Sequence, residues 1–362
     1  MKGRLAEKLR IIWVIAAKDI VGGIKNKNVL GGLISVIFLM VFYKAMPLLV
    51  DASEPPTIFV YDEDNSSLVA ALEDSGAVEL RAYPTRELMK EKLAIKDDRD
   101  LGFVVPADFD RRAAAGETVK LEGYVTYWLN DEDAEEVASS VEQTIASVTG
   151  YAVRIDAAGN IVYAPLGQGG QSFMLSILLA LAISMLGVII IPHLMIEEKQ
   201  AKTLDALLVS PAGVGQVVAG KALAGFFYCL LAAAMVLIVN ASIVIHWWLA
   251  ILAVLCGALF PIGLGLLFGV LFEVRQQLTL WGFLSLQVLL IPAFLVMLEG
   301  LVPADLIAVL RWVPTAALGK VFRVACSLQA PPAEFLPEVA VLLGSGALML
   351  AIVAWFVRRS DR

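Results

Sequence analysis

The stretch Gly215-Gln216-Val217-Val218-Ala219-Gly220-Lys221-Ala222 fits the spacing G-x-x-x-x-G-K. In that arrangement backbone amides cradle phosphates and the lysine reaches the terminal ones. The next position should carry a Ser or Thr hydroxyl for magnesium, and here it is Ala222. The stretch follows a polar loop rather than a strand, and it leads into an apolar run where a nucleotide has no room. The residues therefore argue against a nucleotide site in this chain. Other catalytic sets are equally thin. The two histidines, His193 and His246, lie 53 positions apart, one beside Pro192 in an apolar run and one before Trp247-Trp248, so no Ser/His/Asp or Cys/His group assembles. Two carboxylate clusters, Asp62 to Asp64 and Asp131 to Asp133, lack the spacing and glycine of a calcium loop and read as solvated helix caps. No catalytic, cofactor-binding or metal residue is expected.

Just upstream lies a different kind of site, the polar segment 197–211. Thr203 with Leu204, Leu207 and Leu208 gives a short helix with one apolar face, and Pro211 stops it. Glu197, Glu198, Lys199 and Lys202 form a charged rim around that face. Such a knob can seat in a groove on a soluble partner, with the rim setting its orientation. The plain alternative is a loop helix lying on lipid headgroups, with Lys199 and Lys202 touching phosphates.

The elements that must position this segment are set by composition. Apolar residues make up 59% of the 362, charged residues 17%, and the mean hydropathy is +0.78, well outside the range of soluble domains. A crossing helix needs roughly 20 apolar residues, and the chain offers six such runs, at 29–50, 173–196, 222–245, 248–272, 278–298 and 339–357. Residues 299–338 are broken by Pro303, Asp305, Arg311, Pro314, Lys320 and Arg323 and read as re-entrant or interfacial helices that do not cross. The expected fold is an α-helical polytopic membrane protein with six transmembrane helices. An extracytoplasmic α/β domain is inserted between helices 1 and 2.

Charge gives the sidedness. Of 35 acidic residues, 24 lie between Asp51 and Ser172 with 10 of the 28 basic ones, so that block carries −14 and the rest +7. Lys2, Arg4, Lys8, Arg10, Lys18, Lys25 and Lys27 precede the first run, which places the amino terminus in the cytoplasm. Six crossings return Arg358, Arg359 and Arg362 to the same side, and the acidic block 51–172 falls outside. Residues 1–28 carry Leu5, Leu9, Ile12, Trp13, Ile15, Ala16 and Ile20 at helical spacing, with Lys8, Arg10, Lys18 and Asp19 opposite. This suits a cytoplasmic amphipathic interfacial helix. Cys229, Cys256 and Cys326 read as buried small hydrophobes.

Within 51–172 short apolar strands alternate with helices. Strands are expected at 57–61, 78–83, 101–105 and 119–128, and helices at 66–73, after Thr85, and at 131–153. Gly263, Gly265 and Gly269 sit in the fourth apolar run, with Gly265 and Gly269 spaced as G-x-x-x-G, a pattern that lets helix backbones approach closely. The sequence leaves open whether that pair meets a helix of the same chain or of a second copy.

Taken together the chain resembles the permease subunits of ABC-2 type ABC transporters, the half-size exporters with six spans. The resemblance rests on Glu198-Lys199, Thr203-Leu204, Leu207-Leu208, Ser210-Pro211 and Gly220-Lys221 in the loop 197–221. The strand end Val60-Tyr61-Asp62-Glu63-Asp64, the run Leu101-Gly102-Phe103-Val104-Val105-Pro106, and Phe109 add to it. Gln200-Ala201 departs from the further charged pair common in relatives. The resemblance implies a plasma (inner) membrane exporter subunit, multi-pass, with both termini cytoplasmic. It implies two separate ABC ATPase subunits that hold ATP and Mg, and a second permease copy or paralogue. Spans two and five of the two copies would line the route. Lipid surrounds the protein, no nucleic acid is expected, and an accessory periplasmic or extracellular protein is left open. Glu197, Glu198, Lys199, Thr203, Leu204, Leu207, Leu208, Pro211 and Lys221 are then the coupling residues. The alternative is a non-transporting membrane sensor or assembly protein with a ligand-binding external domain. A lipid-modifying enzyme lacks the clustered His, Asp or Glu at membrane depth that it would need.

Overall fold

A computed structural model describes residues 2–50, 57–95, 100–129, 131–157, 159–163, 170–200, 213–296 and 302–360. Two helices open the chain, α1 (Lys2–Ile24) and α2 (Lys27–Val50). They meet at a bend of 65°. Asn26 makes the corner, its side-chain oxygen accepting from the Val29 amide at 3.4 Å, as a residue at a helix start does.

An α/β unit follows, built from β1 (Thr57–Asp62), α3 (Ser67–Ser75), β2 (Glu79–Ala82), α4 (Arg86–Ala94), β3 (Leu101–Val105), α5 (Phe109–Ala114), β4 (Val119–Thr126), α6 (Asp131–Thr149), β5 (Val153–Asp156) and β6 (Ile161–Val162). The sheet order is β2-β1-β3-β4-β5, with β6 also paired to β4. Only the β3–β4 pair is antiparallel. The period-2 rule of strands splits the core into two layers. Ile58, Val60, Phe103 and Leu121 face α3 and α6, while Phe59, Val104 and Tyr124 face α4 with Met89 and Leu93. Thr85 caps α4 by accepting from the Leu88 amide at 3.2 Å. Thr85→Ala is expected to cost about 1 kcal/mol, read as a lower unfolding midpoint with the sheet intact.

Sequence periodicity placed most of these elements, β3 to the residue, but three details differ. The long helix stops at Thr149, because Gly150 takes the left-handed conformation at φ 72° and turns the chain into β5. The strand expected to reach Trp128 ends at Thr126. Asp62 accepts from the Ser66 amide at 2.6 Å and its hydroxyl at 2.9 Å, so this carboxylate is engaged in a turn.

The remaining chain is a helical bundle. Span two is continuous through α7 (Gly170–Met185), a π-helical turn (Leu186–Ile190) and α8 (Ile191–Gln200). Pro192 supplies the reason for the wide turn, since it donates no amide and crowds the carbonyl four residues back. Next come α9 (Val214–Val239), α10 (Trp247–Gly257), α11 (Leu259–Leu271) and α12 (Arg275–Leu295). The fourth apolar run is thus two helices, interrupted at Ala258, with Pro261 unable to donate back across the break. The short helices α13 (Ala304–Leu310) and α14 (Pro314–Ala325) then precede the long α15 (Pro332–Ser360). At seven and twelve residues, α13 and α14 cannot reach across ~30 Å of hydrocarbon. The last helix starts at Pro332, well before the expected 339, so part of the expected re-entrant region belongs to it.

Among the described residues five helical segments are long and apolar enough to cross a membrane, or six if the bent α1–α2 pair counts as one span. Span two is the most enclosed of these, with 72% of its apolar window buried. The α/β unit rests on the bundle through the turn after β4. Trp128 is buried among bundle residues, Tyr127 stacks on Tyr163 at 5.5 Å, and burial pushes the Tyr127 phenol far above its ordinary pKa. The three cysteines are buried and form no disulfide.

Candidate functional site

The loop between spans two and three is anchored at both ends by helices. Its near end is α8, so Glu197, Glu198 and Lys199 extend span two as helix. Thr203, Leu204, Leu207, Leu208 and Pro211, the remaining loop residues singled out by sequence, lie outside the described residues. The far end re-enters at Gly213, whose amide donates to the Gln216 side chain at 2.7 Å. From Val214 onward the chain is helical. The G-x-x-x-x-G-K spacing therefore lies almost wholly within the first turns of α9, and from its second turn the backbone amides serve the helix ladder, not a phosphate.

Its Gly and Lys have other work. At Gly220 α9 packs closely on α1. A Cβ there would lie 2.7 Å from Ile15 Cγ2 and 3.1 Å from the Ile12 carbonyl oxygen, closer than packed atoms tolerate. Lys221 Nζ lies 3.2 Å from Asp19 Oδ2, with the two side chains only 3% and 8% exposed. Two helical turns further along α9, the Tyr228 hydroxyl donates at 2.5 Å to the carbonyl of Ile20, the residue after Asp19, and Tyr228 leaves no room for a side chain at Gly23. Ile15 and Val217 close the apolar side of the contact. Helix α1 is therefore fixed along the first half of span three.

Periodicity missed this. It placed Asp19 on the polar side of an interfacial helix, whereas Asp19 is buried against Lys221. Of the face assigned to lipid, Leu9 and Trp13 are exposed at 58% and 61%, whereas Ile15 and Ala16 are buried, so span three covers part of it. The signal that could have found the pair was Lys221 itself, a lone cation entering an apolar run with no acid nearby in sequence.

The glycines of span four resolve the open question of the G-x-x-x-G pair. Gly265 faces Gly187 in the π turn of span two, so closely that a Cβ would overlap the Gly187 carbonyl oxygen. Gly269 faces Met195, and Gly187 in turn packs on Pro261 at 2.7 Å from its would-be Cβ. The partner is span two of the same chain. His193 ties the same region to span five. Its Nδ1 lies 2.5 Å from the Ile189 carbonyl oxygen and its Nε2 lies 3.4 Å from the Thr279 hydroxyl on α12.

A polar segment is thus hung between a span gripped by its neighbours and a span fixed to an amino-terminal helix. The model of the ABC-2 family transporter proteins matches residues 29–355, nearly the whole of this architecture. The chain belongs to the ABC-2 transporter family. As an ABC-2 family member it is a multi-pass membrane protein and the permease subunit of an ABC exporter, a transport component with no nucleotide-binding site of its own. The family typically works with ABC ATPase partners. No curated protein matches the chain.

Proposed function

We propose that this permease moves its substrate outward across the plasma membrane, driven by two separate ATPase subunits that dock on the loop 197–221. ATP and Mg belong to those subunits. Two permeases, identical or paralogous, complete the complex. Positive charge before α2 supports a cytoplasmic amino terminus, which puts the loop on the side where ATP is found and the acidic α/β unit on the other.

The observation that carries this reading is the mechanical continuity at both ends of the loop. Span two runs unbroken into Gln200, and span three is fixed to α1 by the buried Asp19–Lys221 pair. A push on the loop therefore reaches two spans and α1 together, instead of being absorbed by slack chain. Leu204, Leu207 and Leu208 would fill the groove on the ATPase, with Thr203, Glu197, Glu198 and Lys199 at its rim and Pro211 ending the knob.

Substituting Leu204→Asp with Leu208→Asp tests it. Apolar anchors at an interface centre are worth about 2 kcal/mol or more each, so co-purification of the ATPase should fall at least ~30-fold and export with it. The permease itself should fold normally. Undiminished ATPase recovery and export would sink the docking assignment and favour a sensor or assembly protein.

A further inference from the structure

We propose that the contact between the α/β unit and the bundle opens to water in a second arrangement of this protein, the turn after β4 parting from residues 240–246 and 325–327. Polar atoms on both sides of the contact carry the inference. On the α/β side the Tyr127 hydroxyl oxygen is buried, and on the bundle side so is His246 Nε2. Neither has a hydrogen-bond partner among the described residues. Both lie beside the end of α14. The His246 amide donates to the Ala325 carbonyl at 2.8 Å, and Tyr127 is near enough to the next residue, Cys326, for that thiol to add to the effect of burial on its phenol. Two further buried oxygens share the condition, Thr126 Oγ1 one position before Tyr127 and Asn240 Oδ1 on the segment that leads to His246.

A folded interior satisfies nearly all of its polar groups, because each one left unpaired keeps its desolvation cost. Such atoms on both faces of one contact weaken the closed arrangement against one in which water reaches them. The apolar grip that opposes opening is local. Trp128 is buried among bundle residues and packs edge-on against Tyr127 at 5.1 Å, with Leu129 and Ala330 partly buried on the same cluster. Tyr163, stacked on Tyr127, is 37% exposed, so solvent already reaches the neighbouring ring. Contacts between two units of one chain behave as transient interfaces unless they are large and hydrophobic.

Cys326 reports the opening. It is 2% exposed, and burial pushes its thiol up to about 12. At pH 8 the closed arrangement therefore holds almost no thiolate, the species that reacts. Once the contact parts, the thiol meets water and regains the reactivity of an ordinary cysteine. Cys229, 0% exposed within span three, serves as the internal standard, since it meets water only when the bundle itself comes apart.

The test is labelling of the full chain in lipid nanodiscs at pH 8 with a charged maleimide that does not enter lipid, the extent at each cysteine being read by peptide mass spectrometry. It uses neither ATP nor ATPase, so its outcome does not depend on the docking assignment above. Cys326 should label at least about tenfold faster than Cys229, a difference of ~1.4 kcal/mol between local opening and unfolding of the bundle. Equal rates would overturn the proposal without any variant. Thr126→Val with Tyr127→Phe then removes two unpaired hydroxyls at nearly constant shape. The closed arrangement no longer keeps their desolvation cost, so labelling at Cys326 should slow about tenfold while Cys229 is unaffected. Hydroxyls that are bonded in the closed arrangement give the opposite result, faster labelling and a lower unfolding midpoint. That result, or an unchanged rate, would also sink the idea. Trp128→Ala removes the apolar grip and should speed labelling at Cys326 at least about tenfold; no change there would show that the reagent arrives by another route and that this contact stays shut.

Discussion

Gly265→Ala is expected to destroy the packing of span four on span two. The added methyl would overlap the Gly187 carbonyl oxygen and press on Pro192 Cδ, 3.2 Å from the Cβ position. Neither neighbour is the loose end of a flexible side chain. One is backbone inside a π turn, and the other is the proline that causes that turn. Overpacking a well-filled core costs about 1–3 kcal/mol and more where the walls are rigid. We expect about 3 kcal/mol or more here, a fall in unfolding midpoint of roughly 4 °C or beyond, and little monodisperse protein. Gly344→Ala is the control, because its Cβ would meet nothing within 4 Å and alanine favours a helix by up to about 1 kcal/mol. If the two variants melt together, the glycine contact is not what sets the distance between these spans.

The G-x-x-x-G spacing was legible in the sequence, and its partner was not. Gly187 belongs to no periodic pattern, and the π turn that presents it arises from Pro192 acting on the carbonyls before it. The strands of the α/β unit were legible because the short apolar runs 58–61 and 101–105 are local signals. β5 was lost because a helical pattern was read through Gly150, whose positive φ ends the helix. The two-helix form of span four was lost for a similar reason, since hydropathy is blind to a break at Ala258. At the candidate site, the loop's composition singled it out, but its attachment to α1 depends on two residues 202 positions apart. Periodicity sorts residues onto faces of one helix and says nothing of a second helix that buries the polar face.

That attachment yields the second large effect. Lys221→Met leaves Asp19 buried at 8% exposure with its cation removed, and breaking one half of a buried pair costs about 3–5 kcal/mol. Asp19→Leu removes the carboxylate that Lys221 meets in this buried contact. The double variant Asp19→Leu/Lys221→Met replaces the pair by apolar groups of similar size, which is often neutral or stabilising, so most of the lost stability should return. Thermal unfolding of the four proteins gives the coupling energy directly. Export then separates two roles for the pair. If apolar packing restores export along with stability, α1 need only be held against span three. If stability returns and export does not, the ion pair has a second arrangement during the cycle that methionine and leucine cannot reproduce. Single variants as stable as the parent would show that Gly220, Gly23 and Tyr228 hold α1 without help from the charges.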